Sequence, residues 1–110
     1  MKQMSYVAIP PHMDDFPGAE LVREGIEDLR HGRDTTSAAL VSMAAPRLRF
    51  VGVDVPAPPD EKPNNIRLYD LLDKEDPASA HSRYNALVRR IVSFASAAEH
   101  DRSRRQRDKP

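Results

Sequence analysis

Three groupings in this 110-residue chain bring together residue types that could do chemistry. His81, Ser82 and Asn85 fall within five positions. His12, Asp14 and Asp15 lie beside Pro10-Pro11. Asp70, Asp73, Glu75 and Asp76 follow one another closely. A serine nucleophile needs a base within hydrogen-bond reach and a third group that orients the base. His81 and Ser82 are adjacent, and helical neighbours point roughly 100° apart, so they form no dyad. His81 and Asn85 are one turn apart and do face each other, which makes His81 the first residue to mutate in a search for activity. No orienting acid accompanies them, and the sequence predicts no catalytic residue and no enzyme.

Imidazole and carboxylate are both metal ligands, so His12, Asp14 and Asp15 allow a metal reading. A first-row metal needs three or four ligands in fixed geometry, however, and these sit on a Pro-rich loop. The expectation is a solvated turn, with Asp15 helping to cap the next helix. The four carboxylates between 70 and 76 match no calcium-loop spacing and lack the glycine such a turn uses, which predicts a solvated face. Histidines 12, 31, 81 and 100 show no ligand spacing, and four glycines form no phosphate-binding loop. No metal and no cofactor is expected.

Charge is unevenly placed. Residues 1–32 carry three basic and six acidic side chains, residues 33–82 six and eight, and residues 83–110 eight and three. The basic end holds Arg83, Arg89, Arg90, Arg102, Arg104, Arg105 and Arg107. Arg83 and Arg90, seven apart, share a helix face, and with the others they could follow a phosphate backbone. Zero formal net charge, few aromatics for stacking and the acidic front argue against that use. A second nucleic-acid reading concerns Ala44-Ala45-Pro46, a sharp corner of the helix-turn-helix kind that would make Arg47 and Arg49 base or phosphate contacts. That corner lacks the usual glycine and its second helix is barely two turns.

The elements that position these residues are helical. Asp76 and Pro77 form an N-terminal signal, after which Ala80, Tyr84, Leu87, Val88, Ile91, Ala95 and Ala98 recur at intervals of three and four. Phe94 lies at the edge of that stripe. The pattern predicts a long amphipathic helix over 77–99, which needs a partner surface to persist in water. Val22, Gly25, Ile26 and Leu29 predict a helix over 17–31 ended by Gly32, with Gly25 admitting another backbone closely. A capping group among Asp34, Thr35 and Thr36 opens a helix over 35–51, kinked at Pro46. Asn64 or Asn65 caps another over 66–75 with Leu68, Leu71 and Leu72 inward. Between them Val53 to Asn65 holds four prolines and reads as a stiff linker, with Pro56 to Pro59 the stretch that could otherwise dock on an aromatic-lined groove.

The expected fold is therefore all-α, a small bundle of about four helices. Its core is expected from Val22, Ile26, Leu29, Leu40, Leu68, Leu72, Tyr84, Leu87, Val88 and Ile91. Residues 1–16 form an arm anchored by Tyr6, Val7 and Ile9, 17–99 the helical domain, and 100–110 a basic disordered tail. Leu, Ile, Val and Phe make up 23 residues, enough for one modest core. Without cysteine there is no disulfide or thiolate site. No apolar run reaches membrane-spanning length and no N-terminal signal is evident, which makes the expected setting cytoplasmic, away from membranes. The functional expectation is a non-catalytic protein–protein interaction or regulatory module. It would self-associate through Tyr84, Leu87, Val88, Ile91 and Phe94. The alternative is a nucleic-acid-binding accessory protein using the arginines of the basic end.

Overall fold

The computed structural model describes residues 9–57 and 63–107. Tyr6 and Val7 of the expected arm, Pro58 and Pro59 of the Pro-rich stretch, and residues 108–110 of the expected tail lie outside them. The architecture is all-helical: a 3-10 turn (Pro11–Met13) precedes α1 (Ala19–Arg30), α2 (Thr36–Met43), α3 (Ala45–Phe50), α4 (Asn64–Glu75) and α5 (Ala80–Arg107). Among the described residues there is no strand.

At the centre lies α2. Its residues Ser37, Ala38, Ala39, Leu40, Val41 and Ser42 are all buried, the condition of a helix enclosed on every side. Small side chains at 37–39 let α1 approach. Gly25 of α1 is the point of closest approach: a Cβ there would overlap the Ser37 carbonyl and a Val41 methyl. The link from α1 to α2 is polar and dense. Gly32 takes φ 69°, and Arg33 N–H returns to the Asp28 carbonyl at 2.8 Å, closing the end of α1. Thr35 then caps α2 by accepting from Ala38 N–H at 3.1 Å, while its hydroxyl donates to the buried Asp28 carboxylate at 2.6 Å.

The chain breaks at Ala44, and Pro46 sits in the first turn of α3, where its missing N–H costs nothing. Leu48 of α3 is fully buried. Helices α4 and α5 form a hairpin over the other side of α2. Leu68 and Leu72 of α4 and Ile91, Phe94, Ala95 and Ala98 of α5 face inward. Phe94 is completely enclosed, which contributes about 2–3 kcal/mol relative to an exposed ring.

Several boundaries differ from those expected. Helix α1 starts at Ala19 after Gly18, with no side-chain cap and Asp15 exposed. Helix α4 begins at Asn64, whose side chain accepts from Arg67 Nη1 at 2.9 Å instead of capping. Asp76 accepts from Ala78 N–H and Ser79 Oγ, so a tight turn at 77–79 precedes the regular helix at Ala80. The largest difference is at the other end. Residues 100–107, expected in a disordered tail, continue α5, and Asp101 among them is buried. Ile9, an expected anchor of the arm, lies in the core, and Met13, Val53 and Val55 of the arm and linker join it there unexpectedly. Arg49 holds the linker in place by donating to the Val55 carbonyl at 2.8 and 3.2 Å.

Candidate functional site

The expected interaction stripe on α5 divides. Ile91 and Phe94 are buried against the protein's own helices and offer no surface. Tyr84, Leu87 and Val88, expected in the core, are half-buried at its margin. Clefts open beside Leu87 and beside Tyr84, so the neighbouring helices cover these side chains only in part. Leu87 lines a cleft of about 350 Å³ with Leu21 and Leu40. That cleft is flanked by Arg90, paired with Glu20, and by Arg83, paired with Glu75 at 2.8 Å.

Tyr84 belongs to a second surface. Its ring lies 5.7 Å from that of Tyr69 on α4, and with Ile66 the two rings border an open cleft of about 330 Å³. Ile66 is 47% exposed, Tyr69 38% and Val92 41%. These are large apolar side chains left in water on one helical hairpin. Ile66, Tyr69, Asp70 and Asp73 recur at helical spacing along α4; Asn85, Val88, Arg89 and Val92 do so along α5. Asp73 and Arg89 are exposed and carry no ion pair among the described residues. The face therefore has an apolar middle, an acidic α4 edge and a basic α5 edge.

A third surface lies where the 3-10 turn, the end of α3 and the last turns of α5 meet. Asp101 accepts from Arg105 Nε at 2.8 Å and Arg104 Nη2 at 3.1 Å, and faces His12 Nε2 at 3.4 Å. The hydrogen bond from Arg105 is the main reason its carboxyl lies below the ordinary aspartate range, against the opposing pull of desolvation. Arg102 stacks over the exposed Phe50 ring at 4.3 Å. Next to this cluster Arg47 makes a two-pronged pair with Glu99, 2.8 Å at each contact. That bond lowers the Glu99 carboxyl and raises Arg47.

The other sequence candidates scatter. Arg47 and Arg49 of the helix-turn-helix corner turn onto their own chain, at Glu99 and Val55, and α3 has only six residues. Arg83 and Arg90 are held by Glu75 and Glu20, which leaves Arg89, Arg102 and Arg107 without an ion pair among the described residues of α5. His12 faces Asp101 and Asp14 pairs with Arg23 at 3.0 Å, so the suspected metal grouping is drawn apart. His81 contacts Asn85 at 3.3 Å on an exposed turn with no acid attached. Asp28, Arg67 and Asp101 escaped the sequence reading as structural charges. Arg67 is almost wholly buried and lies 3.4 Å from Asp34. For Asp101 a signal existed, since Arg104 and Arg105 follow it at i+3 and i+4.

Comparison with protein-family models, with characterised proteins and with solved structures finds no match. Among the described residues, no helix is long and apolar enough to cross a membrane.

Proposed function

We propose that this protein is a non-catalytic interaction module that pairs with a second copy of itself through the α4–α5 hairpin. The supporting observation is the hairpin face on which Ile66, Tyr69 and Tyr84 border one cleft and Val92 is exposed further along α5, with acid on the α4 side and base on the α5 side. Exposed apolar side chains grouped on one face are the usual mark of a covered surface. Opposite charge at the two edges argues for a second copy. A two-fold axis lying in the face and oblique to the helices crosses one hairpin over the other and sets the acidic α4 edge of each copy against the basic α5 edge of its partner. Asp73 near the loop would then meet Arg89 of the second copy. The same reading sets the protein in the cytoplasm, in keeping with a cysteine-free chain that relies on no disulfide.

Sedimentation velocity over the micromolar range tests this. The expected species approaches twice 12.4 kDa, and Tyr69→Lys shifts it to the monomer without loss of helical signal, because Tyr69 is already partly exposed. A wild-type chain that stays monomeric throughout contradicts the proposal.

A further inference from the structure

We propose that the cleft at the end of α5 binds a nucleotide unit, its phosphate among the arginines and its base on Phe50. The cleft is separate from the α4–α5 face, since Arg102 lies 18 residues beyond Tyr84, about 27 Å along the helix. It encloses about 360 Å³, and among the described residues Asp101 is the only acidic side chain that lines it. Against that one carboxylate stand Arg49, Arg102 and Arg105 in the lining and Arg104 beside it.

The cations are held rather than neutralised. Asp101 is 7% exposed and engages Arg105 through Nε and Arg104 through one Nη. Each guanidinium keeps further N–H donors for a ligand, and its position is already set by the buried acid. Arg49 is likewise anchored through Nε and Nη2 on the Val55 carbonyl, which leaves Nη1. Arg102 makes no hydrogen bond or ion pair among the described residues; its plane rests on Phe50. This is an excess of three positive charges in a small cleft, with forked donors suited to phosphate oxygens.

Phe50 gives the ligand its second half. It is 62% exposed, more than any other large apolar side chain described. One face carries the Arg102 guanidinium. An exposed aromatic ring beside fixed arginines is the arrangement on which bases stack in single-strand binding sites. Phosphate recognition alone would leave that exposure without a use. A free nucleotide and one unit of a single strand share this chemistry.

The test is a titration of the full chain at low salt with adenosine monophosphate, a fluorescein-labelled single-stranded oligonucleotide, inorganic phosphate and vesicles of anionic phospholipid. Binding of the oligonucleotide or of the mononucleotide is expected, and which of them binds more tightly assigns the source. Phe50→Ala and Arg102→Gln should each weaken it about tenfold, and Arg90→Gln, at a distant ion pair, should leave it unchanged. Both tested side chains are surface groups, so retained far-UV helicity is expected and verifies the fold. Inorganic phosphate bound as well as the nucleotides, or affinity unaffected by Phe50→Ala, overturns the proposal. So does binding to vesicles alone, or to none of the four.

Discussion

Gly25 shows how a single position can carry much of a packing arrangement. Helix propensity alone favours alanine there by about 1 kcal/mol, yet the Ser37 carbonyl and the Val41 methyl already occupy the space a Cβ would take. Because the obstructing atoms include backbone, α1 would have to move away from α2. Gly25→Ala should therefore destabilise the fold by about 1–3 kcal/mol, read as a lower urea midpoint; an unchanged or raised midpoint would show that the helices part easily. This role was legible in the sequence, because a glycine inside an apolar stripe signals close approach. Arg67 was not. A charged residue among Ile66, Leu68 and Tyr69 reads as a solvated position, and only the fold brings Asp34 close to it.

At the scale of elements, the sequence pattern served where apolar periodicity defined a face and failed where charges took over. The stripe of α5 ends at Ala98, and beyond it the helix is held by Asp101 bonded to Arg104 and Arg105, by His12, and by the Arg47–Glu99 pair two residues before Asp101. Val53 and Val55 alternate correctly for a buried extended segment, but the prolines around them obscured it. The acid clamp has a testable consequence. Asp101 and Glu99 both lie below their ordinary pKa values, each mainly through a hydrogen bond from arginine. Such groups stabilise the folded state fully above about pH 5 and lose that contribution as pH falls through their lowered folded-state values. The melting temperature should hold from neutral pH to about 5 and fall below about 4. Asp101→Asn should lower it already at pH 7 and flatten part of the acid decline. If the variant melts and titrates like the wild type, the end of α5 is not held by this carboxylate.

For the whole molecule, the sequence foresaw an amphipathic α5 and a need to cover it, but two of the five residues it assigned to the free surface are buried. Ile91 and Phe94 are consumed by the core, and the surface left over combines α4 with α5. No helical periodicity within one segment could reveal this, because Ile66 and Tyr69 join Tyr84 only after the hairpin closes. The central claim is that this composite face meets its own copy with acid opposite base. Charge exchange across it gives the most direct test, by sedimentation of Asp73→Lys, of Arg89→Glu and of the two combined. Each single substitution places like charges across the two-fold interface and should dissociate the dimer, and the double substitution should restore it. Three variants that all sediment like the wild type, or a double variant that remains monomeric, would contradict the account.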